Sequence, residues 1–222
     1  MRLKQRRTYT PCILVPESRR RFAQVTEEEA SETIFELTES HLNTGLRGIP
    51  VGTCRTSFVD PHKGVHYVGY PVGDLADMDP ADIIYMLFEK RLPNRQEAQD
   101  FRNEMIGRAE DMPTGALRVL EALTPSSGHP MDWMSVGIQA LGIADTTGDV
   151  RSDGLNLIAR MPELMAAIFR LRGGRGLIGR PSEPSRGMVE NFVHLLGEDD
   201  ESAERIIRVL RSFLILHMDH GG

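Results

Sequence analysis

From Pro80 onward the chain is a continuous series of helix starts and stops, and no strand signal falls between them. Asp79 and Pro80 cap and open ADIIYMLFEK, which ends at Leu92-Pro93. Asn94 with Glu97 forms a capping box for a helix running to about Asp111. PTGALRVLEAL is a short helix closed by Pro125, and Pro130 opens MDWMSVGIQAL, where Gly137 and Ala140 leave room for another backbone. In LNLIARMPELMAAIFRLR, Leu155, Ile158, Leu164, Met165, Ile168 and Leu171 cover most of the circumference, and Pro162 is expected to interrupt it. A helix apolar nearly all round is buried, inside a domain or in an oligomer interface. SRGMVENFVHLLGE follows, and Asp199 or Asp200 caps the last helix. The pattern predicts an all-α fold.

In that last helix Ile206, Ile207, Leu210, Phe213 and Leu214 form an amphipathic stripe. Continued, the stripe reaches His217 and His220, beside Asp219, before Gly221 supplies a left-handed cap. Two imidazoles thus stand where core residues are due. A histidine in the last turn meets the negative end of the helix dipole, which favours its protonated form. Such a cationic donor suits an anionic, oxygen-rich ligand.

Upstream the pattern differs. Residues 1–26 are basic, with Arg2, Lys4, Arg6, Arg7, Arg19, Arg20 and Arg21 against Glu17. A targeting presequence or polyanion-binding arm competes with a solvated extension, and Pro11 and Pro16 favour the extension by interrupting any basic helix. Thr26 with Glu29 opens a helix through EEEASETIFELTESHLN, ended by Gly45 and Gly48. GTCRTSFV and GVHYVGY flank Asp60-Pro61-His62-Lys63-Gly64, a β-hairpin signal. The formal charge of −6 does not invite nucleic acid or an anionic membrane surface. Two cysteines, Cys12 and Cys54, make no disulfide framework or metal motif, and no apolar run approaches the roughly 18 residues of a membrane span. A soluble, cytoplasmic protein is expected.

Other candidate chemistry is weaker. Histidines three apart, as in H-x-D-H, can share a metal, but no third ligand is placed by the sequence. Satisfied core histidines are the competing reading. Gly173-Gly174-Arg175-Gly176 has the composition of a phosphate cradle, yet it follows a helix with no preceding strand, so a surface loop is preferred. His129 before Pro130 reads as a cap rather than a base, His194 as structural, and Cys54 as a thiol without an activating partner.

The order of segments resembles the citrate synthase family. GLRGIPVGTCRTSFVDPHKGVHYVGYPVGDLA (Gly45–Ala76) resembles its N-terminal hairpin, with Val68-Gly69-Tyr70 in place of the R-G-Y pattern. ADIIYMLFEKRLPNRQEAQDF, GHPMDWMSVGIQALG, LIARMPELMAAIFRLR and NFVHLLGE are similar to its successive helices, and LILHMDHGG to its L-H-x-D-H segment.

The resemblance implies an all-α, multi-helical large domain with one short N-terminal β-hairpin, incomplete at its C-terminus. Residues 1–44 would be an extension with one helix and 45–222 the N-terminal part of that domain, with no small CoA-binding domain in the chain. It implies a homodimer through helices 130–141 and 155–172. The implied reaction condenses acetyl-CoA, as co-substrate, with oxaloacetate and water to give citrate and CoA; no cofactor is permanently bound and no metal is implied. His220 matches the family's oxaloacetate-binding histidine, and His217 a positioning residue. The family's base aspartate, later histidines and carboxylate-binding arginines match nothing in the chain, so the 222 residues are expected to be inactive alone. A 2-methylcitrate synthase, a citryl-CoA-cleaving relative, and a non-catalytic short paralogue that dimerises with a full-length synthase are the alternatives.

Overall fold

The structure is a computed structural model and describes residues 33, 35–50, 52–124, 128–177, 181–197 and 201–220. The basic extension 1–26, with Cys12 and the Thr26 cap, lies outside the described residues, as do Asp199, Asp200 and Gly221. The chain divides into two units, Met1–Val51 and Gly52–Gly222.

In the first unit the expected α-helix is absent from residues 35–38, and a 3₁₀ helix spans Glu39–Asn43. The reason is lack of burial. Leu37 and Leu42, the apolar face of the expected helix, are 72% and 78% exposed, and such a face stabilises a helix only when it packs. Thr38 instead turns extended, and its N–H donates to His41 Nδ1 at 2.9 Å.

The second unit begins with an antiparallel sheet of β1 (Ser57–Asp60), β2 (Gly64–Tyr67) and β3 (Tyr70–Pro71), in that order. Asp60 builds the first turn, because its Oδ1 accepts from the N–H of His62 at 2.7 Å and of Lys63 at 2.9 Å. Gly64 then takes φ +82° and pairs with Asp60. The third strand exceeds the expected hairpin. Val68 (φ 51°) and Gly69 (φ 89°) turn the chain so that Tyr70 pairs with Tyr67. That conformation is uncommon for a β-branched residue, and the Val68 N–H bond to the Thr56 carbonyl at 2.8 Å helps to hold it.

Eight α-helices follow among the described residues: α1 (Val72–Leu75), α2 (Pro80–Glu89), α3 (Arg95–Glu110), α4 (Thr114–Ala122), α5 (Pro130–Asp145), α6 (Val150–Arg172), α7 (Met188–Leu196) and α8 (Glu201–Leu216). Asp79 caps α2 by accepting from the Ala81 N–H, and Lys90 ends it in the left-handed conformation. Asn94 and Glu97 form the capping box of α3. α6 begins five residues before the Leu155 expected, with Asp149 as its cap, and it runs through Pro162 without a break. A proline inside a helix costs about 3 kcal/mol. Burial on both sides outweighs it: Leu155, Ala159 and Arg160 before, Leu164, Ala166, Ala167, Ile168 and Leu171 after.

Those residues meet α3, α4, α5 and α7, so this chain itself covers most of the helix that is apolar all round. One core joins α4, α5 and α6 around Trp133 and Leu164. A second joins α2, α3 and α6 around Phe101 and Leu155. A third sets Tyr67 of the sheet against Leu75, Ile83, Met86 and Ile215 of α8. Gly137 is a close approach, as the sequence suggests, but to a side chain rather than a backbone: a Cβ there would lie 2.8 Å from Leu164 Cδ1. Buried Arg160 pairs with Asp145 of α5, and its Nε donates to the Arg108 carbonyl at 3.2 Å, tying α3, α5 and α6 together.

Candidate functional site

α8 ends at Leu216, so His217 and His220 stand just beyond the helix rather than in its last turn. Its core-facing side coincides only in part with the expected stripe, of which Ile207, Leu210 and Leu214 are half-buried. Ala203 and Ile215 are buried, whereas Ile206 and Phe213 are 36% and 57% exposed. Ile215 wins the inward position because Tyr67, Leu75, Ile83 and Met86 offer a matching apolar seat. Arg211 fixes the helix on its other edge, reaching Asp79 at 3.5 Å and Glu190 at 3.3 Å.

The chain then turns tightly. The N–H groups of His217 and Met218 donate to the carbonyls of Leu214 and Ile215, at 3.2 and 3.4 Å. Met218 packs into both neighbouring cores, and the Asp219 N–H donates to the buried Tyr67 hydroxyl at 3.4 Å. The sheet and α2 thus anchor a segment that leaves both histidines at the surface. Neither is a satisfied core histidine.

The two rings differ. His217 stacks on Phe213, 4.1 Å between centroids and 26° between planes. Its Nδ1 lies 2.7 Å from the Phe213 carbonyl, an acceptor only, so Nδ1 carries the proton and Nε2 is left to face outward chemistry. His220 is exposed, and among the described residues none holds its ring. This arrangement suits one fixed and one available imidazole. Among the described residues no group of three or more His, Cys, Asp or Glu side chains is gathered for a metal.

The remaining candidates resolve individually. His129 is the cap of α5, its Nδ1 accepting from the Met131 N–H at 3.2 Å. His194 is buried on α7 with Nε2 3.3 Å from Glu183. The glycine–arginine run closes α6 and ties it to α7: Arg175 N–H donates to the Arg170 carbonyl at 2.8 Å, and Arg175 Nη1 to the Leu196 carbonyl at 3.0 Å. Residues 178–180 of that loop lie outside the described residues. Cys54 departs from expectation, because its thiol pKa is lowered to about 6. The Thr56 hydroxyl is the largest cause, followed by the Ser57 and Thr56 N–H groups and the Ser57 hydroxyl. The C-x-T-S spacing carries that signal, since hydroxyls two and three residues on can reach back to the sulfur.

These features meet known proteins at one point. Residues 45–222 match the family described as "Citrate synthase, C-terminal domain". The chain belongs to the citrate synthase family. It is 25% identical to citrate synthase 4, mitochondrial, of Arabidopsis thaliana, over 94% of this chain and 48% of that protein. To citrate synthase 2 of Bacillus subtilis it is 31% identical, over 79% of this chain and 48% of the relative. Its fold is similar to that of citrate synthase from Thermoplasma acidophilum in ternary complex with carboxymethyl coenzyme A and oxaloacetate. The TM-score is 0.69 at 21% identity, over 80% of this chain and 47% of the other. The chain spans about half the length of the curated relatives it matches. Among the described residues no helix is long and apolar enough to cross a membrane.

Proposed function

We propose that this chain supplies the oxaloacetate-contacting part of an acyltransferase that condenses acetyl-CoA with oxaloacetate and water to give citrate and CoA. The observation that carries the reading is the exposed His217–His220 segment, anchored by Ile215, Met218 and Tyr67, in a chain of this family. His220 contacts oxaloacetate, as a hydrogen-bond donor to an oxygen that gains negative charge during condensation. His217, held by Phe213, positions the segment. Acetyl-CoA enters as co-substrate and no cofactor stays bound.

The base, the enol-stabilising histidine and the carboxylate clamps that the reaction requires are not matched by residues 45–222, so these 222 residues alone turn over nothing. The working enzyme is a homodimer in which α5 and α6 meet the partner. Val136 and Ile143, a heptad apart on the outer face of α5, are 36% and 88% exposed, which supports that choice of surface. A cytoplasmic location rests on the sparse cysteines, and accumulation of a tagged protein in an organelle would contradict it.

A thiol-release assay tests the reading. Enzyme isolated from its source with this chain in it should release CoA only when acetyl-CoA and oxaloacetate are both present, and residues 1–222 alone should release none. Preference for propionyl-CoA would replace the reading by a 2-methylcitrate synthase.

A further inference from the structure

α3, α6 and the 182–188 segment that leads into α7 enclose a cavity of about 400 Å³, whose lining includes neither His217 nor His220. That volume lies within the range of pockets that take small molecules. Its apolar wall includes Met105, Ile106, Ala109, Ala159, Pro162 and Met188. Met105 and Ala159 are buried, and the methionine side chains adapt readily to an aliphatic guest.

The charges around this wall do not balance one another. Asp79, Glu110 and Glu163 line it with Arg102 and Arg186. Both arginines have partners outside the cavity: Arg102 lies 3.3 Å from Asp82, and Arg186 Nε donates to Glu183 at 2.7 Å. Asp79 has Arg211 at 3.5 Å. Among the described residues Glu163 has no ion pair and no hydrogen bond, although it sits half-buried on α6, one residue after Pro162. Desolvation accordingly raises its carboxyl above the usual range. A carboxylate partly shielded from water and without a partner is disfavoured, and a positive charge in the cavity would offset that.

We propose that this cavity binds a small organic cation, an ammonium or guanidinium head on a short aliphatic stem, with Glu163 as its counter-ion. The head meets the Glu163 carboxylate while the stem lies against Met105, Ile106 and Met188. An anion is disfavoured, because both arginines in the wall are already engaged and an unpaired carboxylate faces it. Neither His217 nor His220 lines this cavity, although Met218 between them packs against the same core as Met105 and Ala159, and the cavity's existence does not depend on the reaction proposed for that segment.

Methionine-methyl NMR of the full chain tests this. The probes are n-butylammonium and n-butylguanidinium, with 1-butanol as the neutral comparator. Saturable shifts of the Met105 and Met188 methyls are expected with both cations. Binding should weaken about tenfold in Glu163→Gln and by a similar factor for 1-butanol, the scale of a lost charge-assisted hydrogen bond. Glu163→Asp should retain a measurable part of the binding. The Met86 and Met134 methyls, remote from the cavity, report whether each variant keeps its fold; if one does not, the cation–butanol comparison on the unaltered chain decides. Absence of saturable shifts, equal binding to Glu163→Gln, or equal binding of 1-butanol would each overturn the assignment.

Discussion

Gly137 and Gly107 are both helical glycines, and the space around them decides opposite outcomes for the same substitution. A Cβ at Gly137 would press on Leu164 Cδ1 at 2.8 Å in the core between α5 and α6, whereas a Cβ at Gly107 meets nothing within 4 Å. Gly137→Ala should therefore destabilise the fold by about 1–3 kcal/mol, the usual cost of overpacking. Gly107→Ala should stabilise it by about 0.5–1 kcal/mol, because α3 gains helix propensity without a clash. Urea midpoints of the two variants should move in opposite directions; a shift in the same direction would mean that α5 and α6 do not meet as described. At this scale His220 was legible as a candidate from its H-x-D-H pattern, but its exposure was not. The stripe counted from Ile206 assumed that Phe213 faces inward, and Ile215 takes that place. Each residue turns a helix position by about 100°, so periodicity names an apolar helix more firmly than it names the buried face.

Element boundaries were most legible where a cap makes them. Asp79, Asn94 and Pro130 start helices where the sequence places them, because each supplies or dispenses with a backbone hydrogen bond at the first turn. Two elements departed for reasons that a local pattern does not carry. α6 passes Pro162 because tertiary burial exceeds the local cost, whereas residues 35–38 are not helical because Leu37 stays exposed, without the packing that stabilises an apolar helix face. The α3 cap offers a direct test. Glu97 accepts from the Asn94 N–H at 2.8 Å and takes two bonds from Arg91, at 2.6 and 2.8 Å. Arg91 is the largest cause that lowers the Glu97 carboxyl from 4.5 to about 2. A depressed carboxyl stabilises the fold above its ordinary pKa and loses that contribution as pH falls through the folded value. Stability should thus decline between pH 4.5 and about 2 through this group, and Glu97→Gln should flatten that part of the profile. Asn94→Ala should cost about 1 kcal/mol at neutral pH by removing the cap itself.

For the whole molecule, two of the three cores converge on the segment after α8: Met218 packs against both, and Ile215 is buried in the one that holds Tyr67. Exposed Ile206, Val209, Phe213 and Leu216 run along the outer face of the same helix, spaced three and four residues apart. An apolar stripe of that kind promotes association. Sedimentation equilibrium of the 222-residue chain should show concentration-dependent association that Val209→Lys with Phe213→Ser reduces; a clean monomer at all concentrations would contradict it. The anchored segment is proposed to present His220 to oxaloacetate. Imidazole NMR during an oxaloacetate titration tests this, using the enzyme isolated from its source with this chain in it and the same enzyme carrying His220→Ala. A saturable shift of the His220 ring is expected, with smaller movement of His217, none at His62 or His66, and loss of binding in His220→Ala. Unchanged oxaloacetate affinity in His220→Ala, or shifts confined to other histidines, would contradict it.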